Sequence, residues 1–225
     1  MARVRVKICG ITTPEDARLA AEAGADAIGL IFADSPRQVT LNQAVHIVAA
    51  LPPWVTAVGV FVNLPPDDIF KIARQLNLGA IQFHGEEMPC VLEDVGRGFK
   101  VVKAFRVASE NDLADALDYL GQCRPHAALI DARVEGQRGG TGQLAPWRLL
   151  PGVREKFWPL ILGGGLNPDN VADAIRLVQP YAVESSSGVE KSPGKKNPDL
   201  VRRFVSAAQS VAIEYPQIMG DEHEI

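Results

Sequence analysis

Val4-Arg5-Val6-Lys7-Ile8-Cys9-Gly10-Ile11-Thr12-Thr13-Pro14-Glu15-Asp16, near the start of the chain, holds one complete strand-to-helix unit. A short apolar strand runs to Cys9 and stops at Gly10, where a tight turn is easiest. Thr13 then offers a side-chain oxygen to a helix start, Pro14 suits the first helical position, and Glu15 and Asp16 place acids in the first turn. The same punctuation recurs along the chain. Strands are predicted at 4–9, 27–32, 55–62, 80–84, 101–105, 127–131, 160–162 and 181–184. Helices are predicted from Thr13, over 41–51 behind Thr40 as cap, from Pro65 to Leu76, after Pro89, over 109–120, near Trp147, over 167–178 and over 198–213. Strands alternating with helices of this length imply right-handed βαβ units and a parallel sheet. Eight units in about 210 residues fit an α/β fold closed into a single (β/α)8 barrel better than an open sheet.

The chain has 225 residues, 47% of them apolar, enough for the core of one barrel domain over residues 1–214. No apolar run approaches the roughly 18 residues of a membrane span. The start, Met1-Ala2-Arg3-Val4-Arg5, lacks the long apolar segment of a secretion signal. A formal charge of −4 gives no reason to expect a nucleic-acid partner. Cys9, Cys90 and Cys123 are odd in number, widely spaced and without metal-ligand spacing, as free thiols in a reducing cytoplasm would be. Residues 215–225, with Asp221-Glu222-His223-Glu224, read as an acidic, flexible tail. The oligomeric state, monomer or homodimer, stays open.

In such a barrel the active site lies at the carboxyl ends of the strands. Those ends supply Cys9, Arg37 in the loop after the second strand, Asn63, His84 and Asp131, then Gly163-Gly164-Gly165 and Glu184-Ser185-Ser186-Ser187-Gly188. A thiol, an arginine, a histidine and two carboxylates are thus predicted to face one mouth. Loops after the last two strands often hold phosphate on backbone N–H groups, and Gly164, Gly165, Ser186, Ser187 and Gly188 suit that use. Gly139, Gly140, Thr141 and Gly142 fall in a long loop after the sixth strand, which reads as a lid or as a plain insertion. Cys9 could be an ordinary buried cysteine, but its place at a strand end favours a base, and Lys7 or Arg37 could raise its thiolate fraction. Asp131, directly after an apolar run, suits a general acid or a loop cap. Arg37 suits carboxylate recognition, and His84 a substrate contact.

Val6-Lys7-Ile8-Cys9-Gly10-Ile11-Thr12, Gly59-Val60-Phe61-Val62-Asn63, Gln82-Phe83-His84-Gly85 and Gly139-Gly140-Thr141-Gly142 occur in order. Gly164-Gly165-Leu166-Asn167-Pro168, Ser186-Ser187-Gly188-Val189-Glu190 and Pro193-Gly194-Lys195-Lys196 complete the series. Together they resemble phosphoribosylanthranilate isomerase, the tryptophan-pathway barrel enzyme, from about Arg3 to Ala212. The resemblance implies an Amadori rearrangement of an aminoaldose phosphate to an aminoketose phosphate, with no cofactor and no metal. It implies Cys9 as general base, Asp131 as general acid, Arg37 at the anthranilate carboxylate, and the glycine and serine loops around the phosphate of a small-molecule substrate.

Three positions depart from the family pattern. Glu184 stands where aspartate is usual, Phe83 where leucine is commoner, and Ala132 where threonine is frequent. Glu184, one methylene longer than aspartate, is expected to contact substrate from a shifted position. Two other readings fit the sequence: a histidine-pathway aminoaldose isomerase, or an enzyme of dual specificity, and a catalytically silent barrel binding a phosphorylated ligand. Cys9 in place of an aspartate weighs against the first. Cys9, Arg37 and Asp131 kept together weigh against the second.

Overall fold

Thr13 caps the first helix as its position predicts: Oγ1 accepts the Asp16 N–H at 3.2 Å, and Pro14 opens the helix. Thr40 and Gln43 form a reciprocal capping box, as do Ser109 and Asp112. Each satisfies N–H groups that a helix start leaves without partners. The described residues hold eight α-helices: α1 (Pro14–Glu22), α2 (Leu41–Ala49), α3 (Pro66–Leu76), α4 (Pro89–Gly96), α5 (Glu110–Gln122), α6 (Val153–Lys156), α7 (Val171–Val178) and α8 (Pro198–Gln209). The computed structural model describes residues 2–131, 146–157 and 159–214.

Between the helices run β1 (Arg5–Cys9), β2 (Ala27–Ile31), β3 (Thr56–Phe61), β4 (Ala80–Phe83), β5 (Lys100–Arg106), β6 (Ala127–Asp131), β7 (Leu160–Gly163) and β8 (Ala182–Ser185). All pair in parallel in chain order, and β8 closes onto β1 with Lys7 opposite Glu184. Successive strand residues face opposite sides. Val6 and Ile8 therefore turn outward, where they join Ile28, Leu30, Ile81, Phe83, Leu160, Leu162 and the helix side chains Ala17, Ile47, Ile69, Ile175 and Phe204 in one fully buried apolar layer. Lys7 and Cys9 turn inward. The Lys7 ammonium reaches Gln82 of β4, which is not a neighbour of β1, so the bond crosses the interior of the barrel. The fold is held by its outer apolar layer, and the upper interior is left to polar groups.

Most strand bounds agree with the sequence reading within a residue or two. Three segments differ. The last helix stops at Gln209 rather than at 213, because Ala212–Ile213 pairs antiparallel with Ala2–Arg3 beneath the barrel. The helix expected from Asn167 starts at Val171; Asn167 and Asn170 instead hold a turn, Asn170 Oδ1 accepting the Asn167 N–H at 2.8 Å. Beyond β8 a short hairpin joins Glu190–Ser192 to Lys195–Lys196, and it matters for the site. Residues 215–225 lie outside the described residues. Among the described residues no helix is long and apolar enough to cross a membrane.

Candidate active site

Cys9 ends β1 beside Gly29 of β2, and Gly10 follows in the left-handed region at φ +71°. A Cβ on Gly10 would come within 2.6 Å of Arg37 and 2.9 Å of Ser186 Oγ, so only glycine lets these three segments meet. Asp131 ends β6, separated from β1 by β7 and β8, and so approaches from another side of the mouth. One cavity of about 140 Å³ is lined by Cys9, Arg37, His84, Asp131, Gly164, Gly165, Glu184, Ser186, Ser187 and Gly188. Cys9, Arg37, His84, Asp131, Glu184 and the glycine and serine loop residues expected to hold phosphate therefore share one space. Gly139, Gly140, Thr141 and Gly142 lie outside the described residues, as does Ala132.

Asp131 is partly buried. Its Oδ2 lies 3.6 Å from His84 Nε2, while Oδ1 is buried with no hydrogen-bond partner among the described residues. A buried carboxylate oxygen left open in this way is costly, and a substrate group would relieve it. The phosphate-loop candidates show the same economy. Gly164 and Gly165 sit in the left-handed region at φ +82° and +66°. A Cβ on Gly188 would lie 2.0 Å from the Leu166 carbonyl oxygen, so the two loops close only around a glycine. Ser185 Oγ donates to Leu166 O at 2.7 Å, joining the loops, and Ser186 Oγ is buried without a partner among the described residues.

The charges around Cys9 are more numerous than the sequence suggested. Lys7 Nζ donates to Glu184 Oε2 at 2.5 Å and to Gln82 Oε1 at 2.6 Å, and it lies 3.7 Å from Cys9 Sγ. The expectation that Lys7 or Arg37 enriches the thiolate is not met in this state. Burial, and next the Glu184 carboxylate, push the Cys9 thiol up to about 11, outweighing the opposing pull of Lys7 and Lys196. Arg37 is bound elsewhere: its Nε and Nη2 grip Glu190 at 2.8 and 2.6 Å.

Lys196 and Glu190 were not singled out from the sequence, although both lie in the motifs. The Lys196 ammonium is fully buried and donates to Cys9 O at 2.6 Å, Glu190 Oε1 at 2.9 Å and Ser186 O at 3.2 Å. It ties the end of β1 to the serine loop. Burial holds this ammonium below its ordinary value. Burial alone would raise the Glu190 carboxyl, but Arg37 and Lys196 outweigh it and hold that group below the usual range. The signal that could have found them is the Pro193-Gly194 turn, which pairs Glu190 on one side with Lys196 on the other.

A larger cleft of about 710 Å³ adjoins the site at His84. Asn63, expected at the mouth, lines this cleft instead, its Oδ1 accepting the Glu86 N–H at 2.8 Å. Here Lys103 is buried against Glu87 at 3.0 Å and donates to Gly85 O at 2.6 Å. Among the described residues no group of three or more His, Cys, Asp or Glu side chains is placed to hold a metal ion.

A thiol and a carboxylic group facing one cavity walled by glycine and serine loops suit paired proton transfers on a small phosphorylated substrate. The comparison with known proteins decides the family. The model of the N-(5'-phosphoribosyl)anthranilate (PRA) isomerase family matches residues 6–207. The chain belongs to the N-(5'-phosphoribosyl)anthranilate isomerase family. The isomerase of Azotobacter vinelandii is 51% identical over 207 residues, covering 91% of this chain and 97% of that protein. The crystal structure of phosphoribosyl anthranilate isomerase from Thermotoga maritima superposes with a TM-score of 0.85 at 42% identity, covering 92% of this chain and all of that one. A phosphoribosyl anthranilate isomerase in complex with reduced 1-(o-carboxyphenylamino)-1-deoxyribulose 5-phosphate superposes with a TM-score of 0.82 at 41% identity and the same coverage.

Proposed function

We propose that this member of the isomerase family converts N-(5'-phosphoribosyl)anthranilate to 1-(2-carboxyphenylamino)-1-deoxyribulose 5-phosphate with Asp131 as general acid and Cys9 as general base. One observation carries the assignment: both groups line the same small cavity from non-adjacent strands, with the glycine and serine loops on its wall. Asp131 protonates the ribose ring oxygen, and the furanose opens to a Schiff base. Cys9 removes the proton from the adjacent carbon, and the resulting enolamine tautomerises to the ketone. Each transfer needs a positioned group, and phosphate anchoring keeps a flexible substrate in register with both.

The remaining residues take supporting roles. Ser186 Oγ, buried without a protein partner among the described residues, supplies a donor for phosphate beside Gly164, Gly165, Ser187 and Gly188. Glu190 engages Nε and Nη2 of Arg37, which leaves Nη1 for the anthranilate carboxylate. His84, held near Asp131 and Gln82, is a substrate contact. Free thiols at Cys9, Cys90 and Cys123 support the reducing cytoplasm as its location.

The test follows the fluorescence of the anthranilate adduct when the protein meets freshly generated substrate. Wild-type protein accelerates its decay. Asp131→Asn and Cys9→Ala each reduce the rate by at least ~10²-fold, the scale of one lost proton-transfer group, with the fold intact by circular dichroism. Wild-type turnover in Asp131→Asn overturns the acid assignment.

A further inference from the structure

A buried thiol that holds its proton up to about pH 11 is a poor base at neutral pH, so the proton needs somewhere to go. The surroundings of Cys9 offer one acceptor. Glu184 lines the same cavity as Cys9, and the Lys7 ammonium bridges the two, 2.5 Å from Glu184 Oε2 and 3.7 Å from Cys9 Sγ. The other charged groups around it are engaged elsewhere: Lys196 with the Cys9 carbonyl and Glu190, Arg37 with Glu190, and Asp131 with His84 across the mouth. Lys7 has three N–H bonds, and Glu184, Gln82 and Cys9 take all three. Its position is thereby fixed.

We propose that Glu184 is the proton acceptor that arms Cys9, with Lys7 as the fixed cation shared by their two anionic forms. In the arming step the S–H bond breaks, its electron pair stays on Sγ, and the proton moves to a Glu184 oxygen. Before the step the trio carries one ammonium and one carboxylate; after it, one ammonium and one thiolate. The net charge of the buried trio is zero both times. Loss of the proton to solvent would instead leave a net negative charge in a desolvated site, and it is that process that burial makes so unfavourable. The thiolate then takes the carbon-bound proton of the Schiff base and becomes a thiol again. The trio now holds one extra proton, which it discharges to the enolamine carbon, while the enol hydroxyl proton returns to Asp131 as the ketone forms. This also gives the residue at position 184 a role distinct from the substrate contact expected from the sequence: its carboxylate meets Lys7, which also donates to the thiol.

The inference rests on Cys9 as base, and its test separates the two. In protein carrying Cys90→Ser and Cys123→Ala, the rate of Cys9 alkylation by iodoacetamide is measured against pH. An internally shared proton gives a thiolate fraction that does not depend on pH, so the rate levels to a floor through the neutral range. With Glu184→Gln the floor disappears and the rate falls about tenfold per pH unit, as for any isolated thiol below its pKa. Glu184→Asp, a carboxylate one methylene shorter, keeps a floor at a lower rate, and its loss of the floor altogether would count against a shared proton. Turnover of Glu184→Gln falls by ~10²-fold at neutral pH and recovers as pH rises. Because this variant leaves the Lys7 ammonium without its anion, Lys7→Met/Glu184→Gln is the second variant, and it too lacks the floor. A floor that survives Glu184→Gln, or wild-type alkylation that falls tenfold per unit all the way down, overturns the inference. A floor without isomerase activity leaves the inference standing and removes the proposed substrate.

Discussion

At the scale of single residues, the site depends on what is absent as much as on what is present. Gly29 faces Cys9 across the β1–β2 pair, and a Cβ there would lie 2.6 Å from Sγ and 3.1 Å from the Lys7 side chain. The Lys7 side chain cannot retreat, since its ammonium is pinned by three partners. Gly29→Ala is therefore expected to displace the thiol rather than the strand. Small displacements of a reacting group cost up to ~10²-fold in rate, while overpacking of this size costs about 1–3 kcal/mol. The phosphate loops after β7 and β8 are not touched by the substitution, so kcat falls much more than KM rises. Steady-state kinetics decide it: a rise in KM at unchanged kcat would mean that Gly29 serves substrate binding instead.

At the scale of elements, the sequence was most legible where the chemistry is local. Helix starts were readable because a cap and the N–H groups it satisfies lie within three residues, as Thr13 with Asp16 and Thr40 with Gln43 show. Replacing Thr40 by Ala removes the Oγ1 half of its capping box, keeps the backbone N–H bond to Gln43 Oε1, and is expected to cost ~1 kcal/mol, a fall of about 2–4 °C in melting temperature for a chain of this size. A melting temperature within experimental error of wild type would show that the packing of Ala44 and Ile47 alone sets where α2 begins. Helix ends were less legible, because partners far along the chain set them. Ala212–Ile213 leaves the helical pattern only because Ala2–Arg3 is there to pair with it. The site divides in the same way. Strand ends were readable one by one, so Cys9, His84, Asp131 and Glu184 could be placed at a common mouth. Their pairings were not, since Lys7 meets Glu184 across 177 positions and Arg37 meets Glu190 across 153. Which cation serves which anion is a property of barrel closure, and no local pattern encodes it.

At the scale of the whole molecule, the barrel separates stability from chemistry. The apolar layer between strands and helices carries the folding free energy, while Lys7, Glu184, Glu190, Lys196, Lys103 and Glu87 bring charge into the upper part of the structure. Buried ion pairs of this kind contribute little net stability, because the cost of desolvation offsets their attraction. Their protonation nevertheless leaves a signature on the whole fold. The Cys9 thiol titrates near 9 in an ordinary setting and at about 11 when folded. Between those values the unfolded chain has lost the proton that the native state keeps, so the native state binds more protons and stability falls as pH rises. The contribution is fully present below about pH 9 and is lost through about pH 11; two units correspond to about 3 kcal/mol. Lys7 acts in the same direction, since its Cys9 and Glu184 neighbours raise its proton affinity despite burial, and that stabilisation too is lost at high pH. Urea unfolding of wild type and Cys9→Ala at about pH 7 and about pH 10.5 isolates the thiol's share. Wild type is expected to lose more stability than Cys9→Ala over that interval. Equal losses would mean that the thiol ionises in the native state as readily as in the unfolded chain, and the base would then need no acceptor at position 184.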